Sequence, residues 1–255
     1  MQIDLNCDMG EGYGVYGLGR DEEIIGYISS ANIACGWHAG DPMVMDRTVR
    51  MAVEHGVAVG AHPSYPDLLG FGRRKMDCTA REITNYLIYQ IGALQGFCRA
   101  HGTRLVHVKP HGSLYNTAVE CEITSRAIAE AILRVDPDIN YVALAGAKGG
   151  IMTRMAKELG LKVLYEAFPD RTYTPRGTLV PRGDAGAVIH DPREAARRAL
   201  KMAREGRVTA SDGTEISIVP QTLCVHGDNP QAVELARMIR EVLTSEGVAV
   251  KSAVG

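Results

Sequence analysis

The chain has 255 residues, 45% of them apolar and 23% charged, and a formal net charge of -2. That balance supports a sizeable globular core, as one barrel or two smaller domains, and gives no general attraction to nucleic acid or an anionic membrane. No run approaches the roughly 18 apolar residues of a spanning helix. Met1-Gln2-Ile3-Asp4 lacks the basic and apolar regions of a secretion signal.

The first strand-like run covers 2–7. Gly10-Glu11-Gly12-Tyr13-Gly14 follows; its glycines miss the GxGxxG spacing of a dinucleotide site, so it reads as a mobile loop. Further runs fall near 29–35, 57–61, 104–108, 141–145, 162–166 and 222–226, with helical stretches between them. Asp41-Pro42 starts one helix, Asp as cap and Pro at the first position; Met45, Val49, Ala52 and Val53 share a face and Gly56 stops it. Thr79-Ala80-Arg81-Glu82 reads as a capping box ahead of a stripe of Ile83, Leu87, Ile91, Leu94 and Cys98. Asp191-Pro192 and Asn229-Pro230 repeat the start signal, and Gly206 and Gly247 the stop. Strand and helix alternate, which predicts parallel β/α units. About seven such units suit a closed or nearly closed barrel. The expectation is an α/β protein forming one domain over residues 1–255, a seven-stranded, TIM-like β/α barrel.

Two long loops interrupt the alternation, at 63–78 and 168–190, and loops of that length in a compact domain are usually functional. In the second, Thr178-Leu179-Val180 and Ala187-Val188-Ile189 are expected to pair as a hairpin. The six cysteines, Cys7, Cys35, Cys78, Cys98, Cys121 and Cys224, lack CxxC or zinc-type spacing. Free thiols in a reducing, cytoplasmic compartment are expected, with Cys7, Cys35 and Cys224 as packing residues rather than reactive ones.

Several apolar runs end in compact polar blocks: Asp4-Leu5-Asn6-Cys7-Asp8, Asn32-Ile33-Ala34-Cys35-Gly36-Trp37-His38, Gly60-Ala61-His62-Pro63, His107-Val108-Lys109-Pro110-His111 and Cys224-Val225-His226-Gly227-Asp228. Parallel strands present their carboxyl ends on one side, so these blocks converge on one pocket. Gathering titratable groups in this way is the layout of an enzyme.

Together with GAHPSYPDLLGFGRRKM (60–76), HVKPHGSLYN (107–116), EAFPDRTY (166–173) and CVHGDNP (224–230), these blocks are similar, nearly end to end, to the LamB/YcsF family. Trp37 and Ser113 stand where the family usually has Phe and Ala. The resemblance implies a barrel related to the glycoside hydrolase/deacetylase superfamily. It also implies hydrolysis of the cyclic amide of 5-oxo-L-proline to L-glutamate, coupled to ATP (with Mg) and carried out with 5-oxoprolinase subunits B and C.

A lactam is resonance-stabilised, and phosphorylating its oxygen would let water attack the ring carbon. That route needs a cation, a base, an acid for the departing nitrogen and a clamp for carboxylate. Lys109, in a stiff turn after an apolar strand, is the first candidate for the cation. His111 can transfer a proton or cap a backbone group. Asp8 can serve as base, bind a divalent metal or form a loop turn; His62, set before Pro63 in extended backbone, can pair with it. Asp8, His62, Lys109 and His111 are thus the candidate catalytic residues, and Glu11, Asn32, His38, Asp170, Arg171 and His226 the substrate-binding ones. Arg171 is the best candidate for a bidentate grip on carboxylate or phosphate. Arg73, Arg74, Arg176 and Arg182 lie in glycine-rich loops, solvated or meeting phosphate or a partner. His55, His101 and His190 sit at helix ends and read as structural. No G-x-x-x-x-G-K-[ST] motif occurs, so ATP is bound in another manner or by the partners. The alternatives are a metal-dependent amide or carbohydrate-derivative hydrolase built on Asp8, His38 and His62, and a non-catalytic regulatory subunit.

Overall fold

The computed structural model describes residues 1–146, 150–227 and 231–254. In chain order the elements are β1 (Gln2–Met9), α1 (Asp21–Ile24) running into a 3-10 turn (Ile25–Tyr27), β2 (Ser30–Ala34), α2 (Pro42–Glu54), β3 (Ala58–His62), α3 (Ala80–Ala100), β4 (Leu105–Val108), α4 (Gly112–Glu120), α5 (Glu122–Val135) and β5 (Asn140–Leu144). There follow α6 (Ile151–Glu158), β6 (Val163–Ala167), α7 (Pro192–Glu205), β7 (Arg207–Thr209), β8 (Glu215–Ser217), β9 (Thr222–Val225), α8 (Ala232–Ser245) and β10 (Ala249–Val250).

Seven strands run parallel in the order β1-β2-β3-β4-β5-β6-β9, and β9 pairs back to β1 from Asp4↔Thr222 to Cys7↔Val225. That last pairing closes the sheet into a barrel. The strands fall where the apolar runs predict them, because each run ends in a glycine-, proline- or polar-rich turn. The short β10 adds to the start of β1, outside the ring. Between α7 and β9 an antiparallel hairpin, β7–β8, turns through Asp212-Gly213, a dipeptide suited to tight turns.

Period-two alternation sorts the side chains of β1. Leu5, Cys7 and Met9 are fully buried in the apolar core under the helices. Asp4, Asn6 and Asp8 point the other way, into the barrel lumen. Bonds between strands that are not neighbours can only cross that lumen. Asn6 on β1 donates to Glu166 on β6 at 3.1 Å, and His107 on β4 meets Asn32 on β2 at 2.7 Å. Barrels of this kind usually fill the lumen with branched apolar side chains; here it holds a hydrogen-bonded polar column. Room is made for it: a Cβ on Gly60 would lie 1.9 Å from the His107 ring.

The helix signals act as read. Asp41 caps α2 by accepting from the Met43 and Val44 N–H groups, Thr79 and Glu82 form the capping box of α3, Asp191 caps α7, and Gly206 ends α7 with φ 61°. The stripe from Ile83 to Cys98 is buried. The 178–180 and 187–189 segments do not pair with each other. Both flank 170–174: Thr172 N–H donates to Ala187 O, Val180 N–H to Thr172 O, and Ile189 N–H to Asp170 O. The middle segment outcompetes them because its buried Tyr173 anchors it, accepting from the Phe168 N–H at 2.9 Å. The Asn229-Pro230 start signal and Asp228 lie outside the described residues. No described helix is long and apolar enough to cross a membrane.

Candidate active site

Asp8 projects from β1, His62 ends β3, Lys109 follows β4, and His111 precedes the first residue of α4. Glu11 and His38 come from the loops after β1 and β2, Asp170 and Arg171 from the loop after β6, and His226 from the end of β9. All therefore sit at the carboxyl ends of the barrel strands. Asp8, His62, Lys109, His111, Arg171 and His226 line one 60 Å³ chamber. The linear spacing of 101 residues between Asp8 and Lys109 closes to 2.8 Å between Oδ1 and Nζ.

Each ammonium hydrogen of Lys109 has an acceptor: Asp8 Oδ1 at 2.8 Å, Cys224 Sγ at 2.9 Å and Glu166 Oε1 at 3.1 Å. Burial alone would strip the proton, but the neighbouring Asp8, Cys224 and Glu166 push its pKa well above the usual range. Burial likewise works against the Asp8 carboxylate, and the charges of His62 and Lys109 overcome it, holding Asp8 well below the usual carboxylate range. Asp8 Oδ1 also accepts from Asn32 at 2.9 Å, and its Oδ2 faces His62 Nε2 at 3.3 Å. The result is a permanently charged Asp–Lys pair beneath an imidazole.

Backbone carbonyls fix the histidine tautomers. His62 Nδ1 lies 2.7 Å from Lys109 O, and His111 Nε2 2.9 Å from Phe71 O, so both nitrogens must carry hydrogen. The remaining nitrogens, His62 Nε2 and His111 Nδ1, face each other at 2.9 Å. Two lone pairs would repel at that distance, so one further proton lies between the rings. Burial, reinforced by His38 and His62, drives the His111 pKa well below its ordinary value; the other nitrogen of the pair, His62 Nε2, lies 3.3 Å from Asp8 Oδ2. His38 Nε2 donates toward Glu11 Oε1 at 3.2 Å. Burial and then His62 hold His38 neutral.

Glu11, His38, His62 and His111 bring four donor atoms within 4.8 Å of one another, the donor set of a divalent metal. Ring geometry weighs against all four sharing an ion. The His38 and His111 rings stack at 3.8 Å with planes 5° apart. A ring nitrogen binds metal along its in-plane lone pair, and the lone pairs of parallel rings run side by side without meeting. Asp8, Cys224 and His226 form a second such group, but Lys109 Nζ already stands against Asp8 and Cys224 as its cation. Such an arrangement can hold and move protons.

Asp170 and Arg171 are both buried, and the partner of Asp170 is His226, at 2.8 Å, not its neighbour. Arg171 donates to Ala187 O at 3.2 Å and Val180 O at 2.6 Å, so part of its fork holds the 168–190 loop in place. Asn32 lies in the lumen below Asp8, positioning it and His107. Glu166, Cys224, Asn6 and Phe168 complete the surroundings, Phe168 with Lys109 Nζ 5.5 Å from its ring centre. Their signal in the sequence was the alternation Asp-x-Asn-x-Asp on β1, matched by Tyr-Glu-Ala on β6. A larger cavity of 750 Å³ lies between β5, α6 and Val219, and none of the candidate catalytic residues lines it.

The comparisons with known proteins agree with this architecture. The chain is 59% identical to the A subunit of 5-oxoprolinase from Natranaerobius thermophilus, over 98% of this chain and 96% of that one. It is 54% identical to the protein of the same name from Pyrococcus horikoshii, over 97% and 96%. The crystal structure of the lactam utilization protein from Thermus thermophilus superposes with a TM-score of 0.93 at 49% identity, over 98% of this chain and 99% of that one. The model of the LamB/YcsF family matches residues 3–255, and the chain belongs to that family.

Proposed function

We propose that this chain is the A-type subunit of an ATP-dependent 5-oxoprolinase, opening the cyclic amide of 5-oxo-L-proline to L-glutamate. The observation that carries the reading is the convergence of a charged Asp8–Lys109 pair and a proton-sharing His62–His111 pair on one chamber, in a chain whose relatives bear that name. ATP, with Mg, is the co-substrate, and subunits B and C the partners. Six unpaired cysteines suit the reducing cytoplasm in which such a complex would work.

Phosphorylation of the lactam oxygen makes the ring carbon electrophilic. Water adds there, and the tetrahedral species expels the ring nitrogen to give an acyl phosphate, whose hydrolysis releases glutamate and phosphate. The nitrogen needs a proton as the C–N bond breaks, and the shared proton of His62 and His111 supplies it. The emptied pair is refilled by the hydroxyl proton that the tetrahedral species gives up as it collapses to the carbonyl. Asp8 holds the imidazolium, as the buried carboxylate does in other acid–base couples. Lys109, whose hydrogens are all engaged within the protein, acts by its field and not by gripping substrate.

The test is reconstitution: glutamate release from 5-oxo-L-proline is measured with the three subunits, without ATP, and without this chain. Release should require both. ATP-independent turnover by the chain alone, with stoichiometric bound zinc or manganese, would instead establish a metal-dependent hydrolase. Full activity in its absence would sink both readings.

A further inference from the structure

Hydration of the phosphorylated ring needs a base before it needs an acid: water loses a hydrogen as it adds, while the His62–His111 pair still holds its own proton. Among the described residues lining the chamber, three are histidines: His62, His111 and His226. Both nitrogens of the first two are engaged. His62 Nδ1 meets Lys109 O at 2.7 Å, His111 Nε2 meets Phe71 O at 2.9 Å, and the remaining nitrogens face each other. His226 differs. Its Nδ1 lies 2.8 Å from Asp170 Oδ2, and its Nε2 has no hydrogen-bond partner among the described residues. A ring nitrogen beside a carboxylate carries the hydrogen, so the lone pair of the neutral imidazole falls on Nε2. Asp170 is buried and its Oδ1 has no hydrogen-bond partner, so among the described residues its side chain serves His226 alone. Burial works against that carboxylate, and His226, followed by Arg182 and Arg171, holds it below the usual range. The Phe168 ring stacks on His226 at 5.6 Å, with planes 18° apart, and fixes its tilt. The couple follows β6 and β9, neighbours in the ring and on a different arc from β3 and β4, which lead to His62 and His111.

We infer that His226, oriented by Asp170, is the general base that takes the proton of the attacking water. The assignment rests on the reading above, in which the O-phosphorylated lactam is hydrated. The water oxygen bonds to the ring carbon and one of its hydrogens passes to His226 Nε2. The C=N electron pair returns to the ring nitrogen, which keeps its lactam hydrogen. A nitrogen of His226 lies within 4.8 Å of an Asp8 oxygen and of Cys224 Sγ, so the new imidazolium is faced by two carboxylates, Asp170 and Asp8. They offset the like charge of Lys109 in the same chamber. Once the C–N bond has broken, the freed amine takes that proton, because an α-amino group (pKa about 7.7–8.0) is more basic than imidazole (about 6.5). Glutamate then carries its ammonium group and His226 is neutral again. Asp170 is a positioning residue: it sets which ring nitrogen holds the lone pair and does not touch the water.

Two substitutions test this in the reconstituted three-subunit complex, given 5-oxo-L-proline and ATP. His226→Gln removes the base. Asp170→Asn keeps the size of the side chain but can donate to Nδ1, which moves the ring hydrogen to Nε2. Each should lower kcat for glutamate release by roughly 10²-fold or more and leave KM little changed. First-turnover ADP formation should keep its wild-type rate, because phosphorylation precedes hydration. In the full chain at alkaline pH, nitrogen NMR of labelled histidine should show the Nδ1–H tautomer at His226 and the Nε2–H tautomer in Asp170→Asn. Circular dichroism melts confirm folding, and if His226→Gln does not fold, Asp170→Asn and the tautomer decide. A raised KM at unchanged kcat would make His226 a substrate-binding group and overturn the assignment. So would ADP and glutamate formation slowed together, near-normal rates in both variants, or hydrogen on Nε2 in the wild-type chain. A wild-type complex that never releases glutamate defeats the functional reading and the base with it. An active complex indifferent to both substitutions defeats the base alone.

Discussion

Lys109 is the residue on which the chamber depends. Its ammonium neutralises Asp8 and Glu166 at 2.8 Å and 3.1 Å in a site with almost no access to water. Lys109→Met keeps the side chain's length and removes the charge. Leaving two buried carboxylates without their cation costs about 3–5 kcal/mol. Turnover of the assembled complex should fall by about 10²-fold or more. Adding Glu166→Gln should recover part of the melting temperature and none of the rate. A double variant that regained activity would show that Lys109 serves folding alone. Lys109, Asp8, His62 and His111 were legible as candidates because each follows a strand-like run. The sequence could not reveal that all three ammonium hydrogens turn inward. Glu166 and Cys224 supply those acceptors from strands more than fifty residues away along the chain, and only barrel closure brings them in.

Among the elements, the 63–78 loop has the clearest indirect role. Asp67 Oδ1 accepts from Gly70 N at 3.0 Å and Arg74 Nε at 2.8 Å, and its Oδ2 from Arg74 N at 3.2 Å. This knot holds Phe71 at φ 52°, a left-handed conformation uncommon for a bulky residue, and so aims its carbonyl at His111 Nε2. The tautomer of the proton-sharing pair is therefore set from a surface turn. Asp67→Ala should slow the complex by roughly tenfold or more, in the range seen when groups orienting a functional histidine are lost. The acid limb of its pH–rate profile should shift, while the melting temperature barely changes. An unshifted profile with a normal rate would free the loop of that role. The length of this loop and its Pro/Gly/Arg content marked it as functional from sequence. Its backbone geometry did not, since a left-handed phenylalanine has no sequence signature. The 168–190 loop shows the converse: two β-like tripeptides were legible, but their common partner was not, because short segments carry no register information.

For the molecule as a whole, the polar lumen predicts sensitivity to acid. Burial pushes the His107 pKa down to about 3. An unfolded chain takes up that proton near pH 6.5, and the folded chain cannot until far lower. The contribution of His107 to stability is therefore complete above about pH 6.5 and is lost as pH falls toward 3. Asp8, held low, acts in the same direction at the acid end. Asp21, raised to about 6 by burial, opposes them, losing stability as pH rises. Thermal melts from about pH 7.5 to 4.5 should show a falling midpoint, and His107→Gln should flatten the slope. Parallel slopes for the two proteins would remove His107 as the cause.

The ring closes where β9 meets β1, and Asp8 and Cys224, which both touch the Lys109 ammonium, stand on either side of that seam. During synthesis the segments bearing Asp8, His62 and Lys109 emerge from the ribosome long before Thr222–Val225. Until those last residues appear, the nascent chain has a gap in its wall and its charged cluster stays hydrated. The cluster of Asp8, Lys109 and Cys224 is thus assembled only once Thr222–Val225 joins the ring, and no fragment that stops before β9 can build it.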